Sequence, residues 1–146
     1  MKQHSVLAIL FSSAASFALS ALPNGSWTGK GQYRAESGEK GAYDEKLTIK
    51  DNVATSEITV KGKTYTYVMA YKFKPNDFVA VAIEDKLKAE TRQGRGYCGS
   101  VWCHVQDDSG KFEMTTVYFE DGVYELGSDS EDGKMGWFES ALKTVK

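Results

Sequence analysis

The chain has 146 residues with 18 basic and 20 acidic side chains, a formal charge of −2, and 41% hydrophobic content. Its arginines are Arg34, Arg92 and Arg95 alone, so a nucleic-acid binder working through a basic stripe is excluded, because phosphates require clustered Lys and Arg. The length sets one domain, with a core large enough not to depend on a disulfide framework.

A short polar start carrying Lys2 precedes an apolar run from Val6 to Leu22, diluted by Ser12, Ser13, Ser16 and Ser20. A charged start, an apolar stretch and the small residues of Ala18-Leu19-Ser20 form the layout of a cleavable secretory signal. Cleavage is expected after Ser20, with 1–20 as the signal and 21–146 as a single mature domain. The serines weaken the run, and no Lys or Arg cluster follows it to stop transfer, so no membrane anchor is expected after cleavage. Loss of Lys2 and of no acid brings the formal charge from −2 to −3. The expected location is secreted or periplasmic. There an oxidising environment favours pairing of Cys98 with Cys103.

From Pro23 onward, short runs rich in Val, Thr, Tyr, Phe and Trp alternate with turn signals, a strand-forming composition. Those signals fall at Ser37 to Gly41, Asp51-Asn52, Lys61-Gly62, Pro75 to Asp77, Glu84-Asp85, Gly94 to Gly96, Ser109-Gly110, Asp121-Gly122 and Asp132-Gly133. Between them the side chains repeat every second residue, which places one set on one face of a strand. Trp27, Gly29, Gly31 and Tyr33 share a parity in the first run, and Tyr65, Tyr67, Met69, Tyr71 and Phe73 do so in a later one. Phe112, Met114, Thr116 and Tyr118 form a third such set; Met135, Trp137 and Glu139 form a fourth. Residues 78–83 are apolar throughout, as a strand covered on both sides would be.

Turns this short cannot carry parallel crossovers, so the expected fold is all-β, an antiparallel up-and-down meander of eight to ten strands. Closure into a small barrel removes the exposed edges of such a meander. A two-sheet β-sandwich is the alternative. Glycines 29, 31, 94, 96, 99 and 136 lie in or beside strands, where a barrel bends most sharply.

The opening Asn24-Gly25-Ser26-Trp27-Thr28-Gly29-Lys30-Gly31 resembles the Gly-x-Trp first strand of the lipocalin-like, or calycin, barrels. The resemblance spans these eight residues, with strand number and length in loose agreement beyond them. It implies a closed β-barrel with Trp27 inside.

Chemistry-bearing patterns are sparse. Cys98-Gly99-Ser100-Val101-Trp102-Cys103-His104 fits a disulfide-stapled hairpin. Its Cys-x4-Cys-His spelling also resembles an expanded covalent-haem attachment motif, with His104 as the iron ligand. His104 is the sole histidine beyond the signal, so no multi-histidine metal site is available. Asp129-Ser130-Glu131-Asp132-Gly133 misses the helix-flanked calcium-loop spacing and fits a hairpin turn with solvated acids around it. Asp107-Asp108 and Glu120-Asp121 likewise fall at turns, where carboxylates are expected in solvent. No nucleophile has a histidine base to activate it, and no cofactor is expected.

The remaining signal is aromatic. Trp27, Tyr33, Tyr65, Tyr67, Met69, Tyr71, Phe112, Met114, Tyr118 and Trp137 would line one interior, either as a filled core or around a ligand cavity. The expected function is non-enzymatic binding of a small, partly apolar molecule. The alternative is recognition of a protein partner, such as an envelope or extracellular enzyme, by the Cys98–Cys103 hairpin with Trp102 as anchor.

Overall fold

A computed structural model of the chain describes residues 19–131 and 133–146. The expected signal, up to residue 18, lies outside the described residues, as does Asp132 of the Asp132-Gly133 turn. Among the described residues there are ten strands and no helix. They are β1 (Gly25–Ala35), β2 (Lys40–Lys50), β3 (Val53–Val60), β4 (Lys63–Phe73), β5 (Phe78–Asp85), β6 (Glu90–Cys98), β7 (Trp102–Asp107), β8 (Phe112–Tyr118), β9 (Gly122–Glu131) and β10 (Lys134–Thr144). Each pairs antiparallel with its sequence neighbour, and β1 also pairs with β10, from Trp27↔Thr144 to Ala35↔Gly136. The meander is therefore a closed barrel and not a sandwich. It is one hairpin larger than the eight-stranded lipocalin barrel, within the same broad class.

Turn chemistry sets the register. Asp51 and Asn52 have φ of 51° and 65°, and Lys61 and Gly62 have 49° and 80°, the paired positive φ of type I′ two-residue hairpins. Two sequence turn signals sit elsewhere. Glu84-Asp85 ends β5, and the turn follows at 86–89, where Asp85 Oδ1 accepts from the Leu87 and Lys88 amides at 2.9 and 3.2 Å. Gly94 to Gly96 does not turn at all; it runs inside β6, opposite Asp107 to Val105 of β7. A Cβ on Gly96 would stand 1.9 Å from the His104 carbonyl oxygen, so these glycines serve the close approach of two coiled strands.

Alternation sorts the barrel's inside from its outside. Leu47 and Ile49 of β2, Met69 and Tyr71 of β4, and Val79, Val81 and Ile83 of β5 are buried inward. The apolar run 78–83 is thus an ordinary alternating strand, with Phe78 exposed outside and the small Ala80 and Ala82 half-buried on the outer face. Trp137 differs from the expectation in the same way. On β10 the inward residues are Phe138, Ser140 and Leu142, and Trp137 points outward with 48% of its surface exposed. Parity alone cannot say which of two faces is the inner one when both carry aromatics.

One end of the barrel is filled. Trp27, Leu47, Ile49, Tyr71, Val79, Val105 and Leu142 form the core there, with the disulfide beside them. Leu22 is buried against this end, its amide bonded to Asn52 Oδ1 at 2.8 Å, and Leu19 packs partly buried nearby with its amide on Gly99 O at 2.7 Å. A fully buried aliphatic side chain contributes about 1.5–3 kcal/mol, so this end carries much of the stability. The opposite end, bounded by the turns at 36–39, 61–62, 86–89 and 108–111, is less completely packed.

Replacing Gly96 by Ala is expected to force β6 away from β7 at a cost of about 1–3 kcal/mol, read as a lower urea midpoint with the all-β circular dichroism spectrum retained.

Candidate functional site

At the less packed end, inward-facing side chains leave a cavity of about 230 Å³. Its walls are mostly apolar. Tyr33, Tyr43, Tyr67, Phe112 and Phe138 supply the rings, and Ile58, Val60, Met69, Ile83 and Met114 the aliphatic surface. Two rings lie over bare backbone. A Cβ on Gly31 would meet Tyr43 Cζ at 2.0 Å, and one on Gly127 would meet Phe138 Cζ at 2.5 Å. Only glycine lets those aromatics fold flat against the wall and leave the lumen open.

Of the ten residues expected to line one interior, the structure brings Tyr33, Tyr67, Met69, Phe112 and Met114 together around this cavity. Trp27 and Tyr71 are buried in the filled end, with Tyr118 packed against it. Tyr65 lines a shallow depression at the rim with Lys61 and Lys63, its ring under the Lys63 ammonium at 4.9 Å. Trp137 lies outside the barrel. The interior is therefore both a filled core and a cavity, one at each end.

The polar lining is what sequence reasoning missed. Glu45 and Glu125 are 4% and 5% exposed and both line the cavity. Ser56 donates its hydroxyl to Glu45 Oε1 at 2.5 Å, and Thr116 donates to Glu125 Oε1 at 3.5 Å. Glu45 Oε2 has no hydrogen-bond partner among the described residues. Burial, reinforced by the charge of Glu45 and a hydrogen bond with it, pushes the Glu125 carboxyl well above the usual carboxylate range, as desolvation and a like charge must. Burial likewise raises the Tyr43 phenol, with the two glutamates adding to the shift; its hydroxyl donates to the Glu139 carbonyl at 3.1 Å. The signal was present in the sequence: Glu45 shares parity with Leu47 and Ile49, and Glu125 with Val123.

At the mouth, Arg92 reaches Asp129 Oδ1 at 3.2 Å and Asp107 Oδ2 at 3.4 Å, with its guanidinium 5.4 Å from the Phe112 ring centre. Asp107 is buried rather than solvated as its turn position implied. Burial opposes its charge, but the Ser109 hydroxyl, the Phe112 and Lys111 amides and the Arg92 guanidinium together hold its carboxyl below the usual range. Asp129 of the 129–133 stretch keeps 42% of its side-chain surface exposed, as expected, but pairs with Arg92 at the mouth, while Glu131 pairs with Lys88. Among the described residues no group of three or more His, Cys, Asp and Glu is placed to hold a metal.

The Cys98–Cys103 pair is a disulfide bridging directly opposed residues of β6 and β7. With both sulfurs joined to each other, neither is free for the thioether bonds of the haem reading. His104 lies on the outer face, its Nδ1 2.9 Å from Thr115 Oγ1 and its ring tilted against Tyr97.

A carboxyl raised by folding binds its proton more tightly in the native state, so its stabilisation is complete below the unfolded value and is lost as pH rises above it. Glu125→Gln should therefore raise Tm at about pH 8 and leave it unchanged near about pH 4, where the native and unfolded carboxyls are both largely protonated. Calorimetric melting of both proteins across that range checks the sign.

No protein-family model and no curated protein matches the chain. The barrel is similar to solved structures, among them two of low sequence identity. A DUF3598-family protein of unknown function from Nostoc punctiforme superposes with a TM-score of 0.56 at 12% identity, covering 88% of this chain and 51% of that one. The chain thus spans about half the length of that protein. A LolA superfamily protein from Nitrosomonas europaea gives a TM-score of 0.37 at 10% identity over 86% of this chain and 89% of its own. The first likeness shows a shared fold; the second is too loose to carry an argument.

Proposed function

We propose that the mature chain is an exported, non-enzymatic binding protein that holds one small, partly apolar molecule in the open end of its barrel. The observation that carries this reading is the aromatic-lined cavity of about 230 Å³. An apolar cavity of roughly 150 Å³ accepts benzene, so a ring with a short substituent fits and a long acyl chain does not. We favour binding over turnover on the site chemistry. His104, the one imidazole beyond the expected signal, lies outside the cavity, and the Ser56 hydroxyl in the lining has the Glu45 carboxylate beside it but no imidazole to serve as its base. Export rests on the expected signal and agrees with a disulfide, which persists in oxidising compartments.

Native mass spectrometry of the chain purified from its own host is expected to show a small extra mass that leaves on denaturation. Ile58→Trp, which fills the mouth, should abolish that mass. A bare chain from every preparation would overturn the cavity reading.

A second reading is favoured by the opposite end, where Tyr97 and Val101 of the disulfide hairpin and the neighbouring Phe78 are all exposed. Exposed aromatics on a rigid hairpin suit an inhibitor of an envelope or extracellular enzyme. Trp102 is half-buried, its ring in a T-shaped contact with Tyr97 at 5.4 Å between centroids, so Tyr97 and Val101 are the better anchors. Replacing both by Ser should change stability by no more than about 0.5 kcal/mol while removing a co-purifying protein. Retention of that protein would place its contact elsewhere.

A further inference from the structure

The buried carboxyls define what the cavity selects. Thr116 of β8, Glu125 of β9, Ser140 of β10, Gly31 of β1 and Tyr43 of β2 stand in one row of directly paired residues, with Glu45 two residues beyond Tyr43. Glu45 and Glu125 therefore approach each other across a wall in which β1 contributes only Gly29 and Gly31. Their acceptor oxygens greatly outnumber the donors that reach them. Ser56 and Thr116 give one hydroxyl each, and Glu45 Oε2 is unpartnered among the described residues. Buried acceptors left without donors are costly, more so when charged. The one cation in the cavity lining, Arg92, is engaged by Asp129 and Asp107 at the mouth.

We propose that Glu45 and Glu125 make the inner part of the cavity a receptor for the ammonium group of a small arylalkylamine, whose ring lies among the aromatic walls. This rests on the cavity reading above and narrows it to one ligand class. A primary ammonium brings one positive charge and three donors, and it enters a site that offers unmet acceptors and the negative faces of Tyr and Phe rings.

The exchange balances. In the empty site the glutamate pair holds one proton and one negative charge. When the ammonium enters, both carboxylates ionise, the proton leaves to solvent, and the site retains its net charge of about −1. Raised affinity of Glu125 for its proton in the empty state fits that description. The groups facing the pair are Tyr43 on β2, Tyr71 on β4 and Tyr118 on β8, phenols that burial holds neutral, with Arg92 of β6, Asp107 of β7 and Asp129 of β9 at the mouth. None of these supplies a free positive charge to compete with the ligand.

Isothermal titration of residues 21–146 with 2-phenylethylamine, 2-phenylethanol and 3-phenylpropionate at about pH 7 tests the inference, run in phosphate and in Tris to count protons. The amine is expected to bind about tenfold or more tighter than the alcohol, with release of about one proton, and the acid weakest of all. Glu125→Gln should abolish proton release. The double variant Glu45→Gln with Glu125→Gln should lose the amine preference while still binding the alcohol, which also certifies its fold. An alcohol that binds as well as the amine, or an amine that binds without proton release, would sink the amine receptor and leave the cavity reading standing. If none of the three probes binds, both readings fall.

Discussion

Everything in this molecule depends on the pairing of β1 with β10. Nine register pairs, Trp27↔Thr144 to Ala35↔Gly136, join the two ends of a ten-strand meander. Without them the sheet would present two long edges of unsatisfied donors and acceptors to solvent. Closure satisfies those edges and defines an inside. It also brings β2 and β9, far apart in sequence, to either side of the β1–β10 pair, and so places Glu45 and Glu125 in one chamber.

Closure alone does not decide how full that chamber is. At one end Leu47, Val79, Val81, Val105 and Val123 meet under Leu22 and leave no lumen. At the other the same alternation places Gly31, Gly127, Ser56 and large rings, and those rings lie flat on glycine instead of crossing the middle. Aliphatic volume stabilises the first end, and its absence makes room at the second. The division of labour follows from side-chain volume along each strand.

The polar interior carries a cost that a plain core would avoid. A carboxyl pair in an apolar chamber must share a proton or find a cation, and Arg92 is committed to Asp129 and Asp107. Asp107, by contrast, is fully answered by a hydroxyl, two amides and a guanidinium. One buried acid therefore braces the β7–β8 turn, while two others remain open to a partner.

Period-two alternation, type I′ turn residues at Asp51-Asn52 and Lys61-Gly62, and connections too short for crossovers were sufficient in the sequence to specify an all-β antiparallel meander, because each is a local property of the chain. The cysteine pairing was legible for the same reason, since five residues of separation fit a hairpin. Which parity faces inward on β10, the burial of Asp107, the pairing of Asp129 with Arg92, and the meeting of Glu45 with Glu125 were decided only when the barrel closed. Those facts depend on neighbours across the sheet, and a carboxylate's environment is set by what the fold brings beside it rather than by the residues next to it in the chain.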